Sequence, residues 1–192
     1  MIPTDRFVKV EVSSRDELRA WLLENHHRAE GVWLVTQKKS SGPGWFPHQD
    51  VVDELLCFGW IDGVARKLDD RRTMQLITPR RTQQWARSYK RRIDVLETEG
   101  RMHQSGRVAV QDARDAGLWE TMNDVDNLVI PDDLAAALAS RPGATDNFLG
   151  IPPSSRRFAL RWIKAAKADT TRQRRVTTTA ELAQQSKRVP GS

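Results

Sequence analysis

The chain has 192 residues and a formal net charge of +6, from 31 Lys+Arg against 25 Asp+Glu, with 39% hydrophobic and 29% charged residues. That balance suits a globular protein of one domain, or of one domain with a small appended module. The single cysteine, Cys57, excludes a disulfide framework and a cysteine-rich zinc site. No apolar run approaches a transmembrane length, and the absence of an apolar signal segment at the start predicts a cytoplasmic protein.

Phe7 to Val12 alternates and predicts a short strand. Ser14-Arg-Asp-Glu17 is a capping-box pattern that opens a helix with Leu18, Trp21 and Leu22 on one face, ending near Asn25-His26. Gly31 to Gln37 is the strongest strand candidate, and Ser40-Ser-Gly-Pro-Gly44 is a loop by its punctuation, a flexible rim for a pocket. Pro47 starts a helix whose Val51, Val52, Leu55, Leu56 and Phe58 face inward. Gly59 stops it. Val64–Leu68 and Met74–Thr78 flank Asp69-Asp-Arg-Arg72 as a hairpin.

Trp85, Tyr89, Ile93 and Leu96 recur at helical spacing, with Arg87, Lys90 and Arg91 on other faces and Gly100 at the end. A shorter helix follows from about Ser105 to Ala116. Residues 120–131 are acidic and read as a linker. Helices are then predicted at Leu134–Ala139, from Pro152-Pro-Ser154 with Ala159, Trp162, Ile163 and Ala166 as its apolar stripe, and at Thr170–Ala183, before a frayed tail from Gln184. The expected fold class is α+β: a small sheet of three to five short strands packed by helices, followed by an all-helical C-terminal segment. The expected division is an α+β domain at 1–119, a linker at 120–131, and a helical region at 132–192 packed on the first.

Several strings resemble a known family. They are Cys57-Phe-Gly-Trp-Ile-Asp-Gly63, Leu68-Asp-Asp-Arg71, Gln75, Thr78-Pro-Arg-Arg81 and Trp85, with Gly100-Arg-Met102 and Gly117-Leu-Trp119 beyond them. In the C-terminal part they are Pro131-Asp-Asp-Leu134, Pro153-Ser-Ser-Arg-Arg157, Leu160-Arg-Trp-Ile163, Ala166-Lys167 and Thr171-Arg-Gln-Arg-Arg175. Together they span about residues 14–185 and are similar to the YdeI/OmpD-associated family, also labelled bacteriocin-protection. The resemblance implies tolerance to cationic antimicrobial peptides or bacteriocins, sometimes in a periplasmic setting, and carries over no catalytic residues. Thr170-Thr171 stands where that family often has an acidic residue before Thr-Arg.

Charge is distributed as a mosaic. Residues 1–65 hold 7 basic and 10 acidic residues, 66–92 hold 10 and 2, 93–153 hold 4 and 11, and 154–192 hold 10 and 2. The two basic blocks either answer the acidic block between them or meet an anionic ligand. Within the first, Thr78-Pro-Arg-Arg81 sets two guanidiniums at a predicted helix start near Thr82, a bidentate anion site whose alternative is a salt bridge to Asp62, Asp69 or the acidic block. Trp60 walls a pocket or fills the core. Asp62 binds a cation, holds Arg80 or Arg81, acts as a base, or hydrogen-bonds turn amides. Lys67, Arg72 and Gln75 fall on the same hairpin, and Trp85 follows it.

These nine residues, Trp60, Asp62, Lys67, Arg72, Gln75, Thr78, Arg80, Arg81 and Trp85, form the candidate ligand-binding set. Cys57, on an apolar helix face, reads as a buried structural thiol. His26, His27, His48 and His103 lack metal-ligand spacing, so no metal and no cofactor are expected. The leading expectation is a non-enzymatic ligand-binding or antimicrobial-tolerance protein taking a small, partly anionic molecule. The alternatives are an enzyme using Asp62 as acid or base, and a nucleic-acid or anionic-surface binder using the basic helices of residues 154–175.

Overall fold

A computed structural model describes residues 6–81 and 84–189. The chain divides into two compact units, 1–120 and 121–192.

Unit 1 is built on a four-stranded mixed sheet of order β1-β2-β4-β3. β1 (Lys9–Glu11) runs parallel to β2 (Val32–Gln37), and α1 (Arg15–Asn25) makes the crossover between them. The predicted cap forms: the Ser14 hydroxyl accepts the Glu17 N–H, and Glu17 returns to the Ser13 N–H at 2.8 Å. β3 (Trp60–Lys67) and β4 (Arg72–Pro79) are the predicted hairpin, longer at its outer ends than the sequence pattern indicated. β4 pairs antiparallel with β2, so Val32 stands opposite Ile77 and Leu34 opposite Gln75. Val32, Leu34 and Ile77 share one face of the sheet and meet Leu18 and Leu22 of α1 and Val51 and Leu55 of α2 (His48–Cys57) in the first core. Pro47 is the residue before α2, one position earlier than expected, where its missing N–H costs nothing.

α3 (Arg87–Thr98) and α4 (Gln104–Asp115) complete unit 1. α4 crosses the C-terminal end of α2 so closely that a Cβ on Gly106 would lie 2.2 Å from the Cys57 carbonyl oxygen. Only glycine permits that crossing.

Unit 2 is helical, as expected, with a second core of its own. Its elements are α5 (Asn123–Asp126), α6 (Asp132–Ala139), α7 (Ala144–Gly150), α8 (Pro153–Lys164) and α9 (Asp169–Gln184). Leu134, Phe148, Ala159, Ile163 and Ala180 are buried together. Two expectations are corrected. Residues 120–131 are not a bare linker, because Met122 and Val125 around α5 are buried in this core. Nor do the described tail residues, 184–189, simply fray, since Val189 is buried and the Lys187 N–H donates to the Leu182 carbonyl at 2.8 Å; the rest of the expected tail lies outside the described residues. α7 was absent from the predicted elements. Pro142 hides the continuation of the helical pattern, and Gly143, in the left-handed region at φ 72°, reverses the chain into α7.

The buried face of α2 carries two acids, Asp53 and Glu54, at 0% and 1% exposure. Glu54 accepts from Arg15 Nε at 2.7 Å, Arg19 Nη1 at 2.8 Å and Arg101 Nη2 at 2.6 Å. Asp53 accepts from Arg92 through both Nε and Nη2, and from Gln49 at 2.9 Å. Four arginines from α1, α3 and the turn before α4 thus converge on two adjacent carboxylates. Breaking such a buried pair from one side leaves uncompensated charge and costs about 3–5 kcal/mol, whereas an exposed pair contributes under about 1 kcal/mol. Glu54→Gln should lower unfolding free energy in urea by about 3–5 kcal/mol. Arg72→Ala, at an exposed pair with Glu11 and Asp69, should lower it by less than about 1 kcal/mol. Equal effects would place the helix-clamping role elsewhere.

Candidate functional site

The segment that leaves β4 carries the predicted pair of arginines. The Arg80 N–H donates to the Gly59 carbonyl at 2.8 Å, which fixes this strand end beside the stop of α2. Gly59 itself is in the left-handed region at φ 74°, with Ala109 of α4 2.8 Å from where a Cβ would stand. Between these elements lies a cavity of about 320 Å³. Trp60, Arg80, Arg81 and Trp85 line it, together with His26 and, from α4, Ser105 and Asp112.

Arg80 is unlike the arginines around Asp53 and Glu54. Its guanidinium carbon lies 3.9 Å from the centre of the Trp85 ring and 5.0 Å from that of Tyr89, and its Nη1 donates to the Gln84 carbonyl at 3.3 Å. Nε and Nη2 are buried without a hydrogen-bond partner, and among the described residues Arg80 makes no ion pair. No other described arginine has two orphaned donors. Burial pulls its pKa down to about 10, with Tyr89 and Asp62 opposing. The group therefore stays cationic at neutral pH, stabilised by ring faces instead of a carboxylate. Nε and Nη2 form the side-on edge of the guanidinium, the edge that binds a carboxylate or phosphate bidentately.

The other candidates separate. Trp60 is a core residue as well as a cavity wall: it is 1% exposed, stands edge-on to Trp21 at 5.6 Å, and donates its indole N–H to the His26 carbonyl at 3.2 Å. Trp85 is fully buried against Trp119 but precedes α3 instead of starting it. Arg81 donates to the Ala29 carbonyl at 2.8 Å. The helix start expected near Thr82 falls outside the described residues, and α3 begins at Arg87, so its free N–H groups belong to a later turn. Thr78 sits against Gly31, its methyl 2.6 Å from where a Gly31 Cβ would be.

Asp62 lies mid-strand and bonds no turn amide. It accepts from Gln75 Nε2 at 2.9 Å, and His48 Nε2 is 3.5 Å away. His48 also meets Gln75 Oε1 at 3.0 Å, closing a chain from acid through amide to imidazole. Lys67 and Arg72 stand at the far end of the hairpin, seven strand positions or about 23 Å from the Trp60–Pro79 end. There Lys67 pairs with Asp70, and Arg72 with Asp69 and Glu11. They do not share the Arg80 cavity. The sequence reading also missed His48 and Tyr89 as site residues. No linear motif marks them. Among the described residues no cluster of His, Cys, Asp and Glu could hold a metal, and no helix is long and apolar enough to cross a membrane.

Comparison with protein families divides the chain as its two units do. Residues 10–109 match a domain of unknown function, DUF8412, and residues 127–186 match the family described as bacteriocin-protection, YdeI or OmpD-associated. The chain belongs to the DUF8412 family and carries an OmpD-associated domain. The strings from Cys57 to Trp85 that carried part of the resemblance therefore fall in the DUF8412 match, while those from Pro153 to Arg175 fall in the OmpD-associated domain. Searches of curated proteins and of solved structures find no match.

In unit 2, basic residues find partners within the unit. Arg172 holds Asp133 at 2.7 Å, Lys164 holds Asp124, and Arg175 donates to the Trp162 carbonyl while lying over its ring at 5.2 Å. Trp162 is half-buried.

Cys57 is fully buried, and burial first, then Glu54, pushes its thiol up to about 11. A raised acid pKa keeps the neutral thiol in the folded state, favouring folding below about pH 9 and losing that contribution as pH rises towards 11. At pH 8 the native protein should resist a disulfide reagent such as DTNB for hours, and one thiol should react within minutes in guanidinium chloride. Fast native labelling would show a reactive thiolate instead.

Proposed function

We propose that the DUF8412 unit is a binding module, not a catalyst, for a small molecule carrying a carboxylate or phosphate, held between Arg80 and the Trp60–Trp85 walls. The observation that carries this reading is Arg80: a cationic guanidinium with two unpaired donors beside a cavity of about 320 Å³. In the same unit Arg15, Arg19, Arg92 and Arg101 all reach carboxylates. A buried donor without a partner costs about 1–3 kcal/mol, and an anion arriving at that edge would relieve the cost. The role we propose for the whole chain, tolerance to antimicrobial compounds, follows the description of its OmpD-associated domain.

The alternatives receive less support. Asp62 is engaged by Gln75 and His48 and does not line the Arg80 cavity, so an acid–base role there lacks geometry. The basic helices of residues 154–175 spend Lys164, Arg172 and Arg175 on partners within their own unit.

The test is thermal and chemical unfolding with inorganic phosphate, acetate and citrate, in wild type and Arg80→Met. Methionine keeps the contact with both rings and removes the unpaired charge. The unliganded variant should be at least as stable as wild type, by up to about 1 kcal/mol. Wild type should gain about 2.7 kcal/mol at an anion concentration of about 100 Kd, and the variant nothing. A destabilised variant, or equal anion stabilisation of both proteins, would refute the proposal.

A further inference from the structure

A second cavity, of about 470 Å³, lies between the sheet and the loop that joins β2 to α2. Leu34 and Val51 belong to its apolar floor, and Trp45 and Phe46 supply aromatic walls. Its charged lining residues are Lys38 and Lys39, with His48 beside them, and no carboxylate lines it. It shares no lining residue with the Arg80 cavity.

The loop was expected to be a flexible rim. It is pinned instead. Lys38 Nζ donates to the Asp69 and Asp70 carbonyls at 2.7 and 3.1 Å, and the Ser41 hydroxyl donates to the Arg71 carbonyl at 2.8 Å. Gly42 and Gly44, at φ 85° and 93°, carry the chain from this anchor to Trp45. The anchor uses up Lys38 but not Lys39, whose Nζ stands 5.3 Å from the centre of the Trp45 ring. At the other end of the cavity His48 and Gln75 are tied to each other at 3.0 Å and, through Gln75, to Asp62. That chain fixes the imidazole and amide without filling the space between them and Lys39.

We propose that this cavity binds a small amphiphilic anion: an apolar ring system against Trp45, Phe46 and Leu34, with its carboxylate or sulfonate at Lys39 and a polar edge towards His48 and Gln75. The volume lies within the range of small-molecule sites, and apolar walls with few convergent polar groups are their usual make-up. The pinned loop means the walls stand ready before the ligand arrives, which lowers the ordering cost of binding. The site is independent of the one at Arg80.

The probe is 1-naphthoate, titrated calorimetrically into wild type, Arg80→Met, Lys39→Ala and Ala65→Phe, with neutral 1-naphthalenemethanol as the comparison. Ala65 lines the cavity from β3, and phenylalanine there would fill it. Arg80→Met should retain a saturable 1:1 site. Lys39→Ala should weaken it about tenfold, and Ala65→Phe should abolish it while the protein still melts cooperatively. The neutral alcohol should bind about tenfold more weakly than naphthoate. Should Ala65→Phe fail to fold, the Lys39→Ala and alcohol arms decide. Absence of saturable binding overturns the proposal, as does binding lost in Arg80→Met yet unchanged in Lys39→Ala. Equal affinity for the alcohol overturns the anionic class.

Discussion

Two adjacent carboxylates on a helix face otherwise made of Val51, Leu55 and Leu56 cannot be buried without cations to answer them. Asp53 and Glu54 are in that position, and the arrangement of unit 1 follows from it. Arg15 and Arg19 tie α1 to α2, Arg92 ties α3, and Arg101 ties the turn into α4. Hydrophobic burial alone would let these helices slide along the sheet face, because it has no direction. Hydrogen-bonded ion pairs have both direction and length, so they set the register of three helices against one.

Fixing α2 fixes both of its ends, and each end borders a cavity. At the N-terminal end His48 reaches Gln75 and, near it, Asp62, on the sheet face where the pinned loop closes over Trp45 and Phe46. At the C-terminal end the chain stops at Gly59, takes the Arg80 N–H onto the Gly59 carbonyl, and is crossed by α4 at Gly106. The left-handed turn and the close crossing each require a residue without a side chain. Cys57 sits under that crossing with its thiol held neutral by burial, which is the behaviour of a core residue.

Much of the fold is legible along the chain because its signals are local. Ser14 to Glu17 caps a helix whatever surrounds it, and Asp69-Asp-Arg-Arg72 between two alternating runs makes a hairpin by turn chemistry. The lining of the candidate cavity is legible only in part, as at Trp60, Arg80, Arg81 and Trp85, which the sequence keeps within one segment. The hairpin led Lys67 and Arg72 to be grouped with them, but a strand of eight residues separates its two ends by most of its length. His48 and the arginines on Glu54 reach their partners across 27 to 47 residues, a separation that carries no periodic signal. The acidic pair inside an apolar helix face was the one visible clue. Its partners were not, since any of the many arginines in the chain satisfies the same electrostatic demand. α7 stayed hidden for a different reason, because a proline and a glycine together read as an ending when Gly143 is the means of starting again.

The contrast between paired and unpaired arginines bears on function more than either set does alone. A protein that places four guanidiniums on two carboxylates has the means to satisfy a buried cation, and Asp62 lies close enough to Arg80 to act on its charge. Yet Asp62 makes its contacts with Gln75 and His48, and Arg80 is left to two aromatic rings and one carbonyl, that of Gln84. Ring faces stabilise the charge without occupying the N–H edges. An arginine meant only for stability would close those edges on an acid. At Arg80 the two donors stay buried and unpaired, a local cost that the anion proposed above would offset on reaching them. The same logic separates Lys38 from Lys39 at the other cavity. One ammonium is consumed in anchoring the loop and the other is left over an aromatic face, so the rigid support and the available charge are supplied by neighbouring residues.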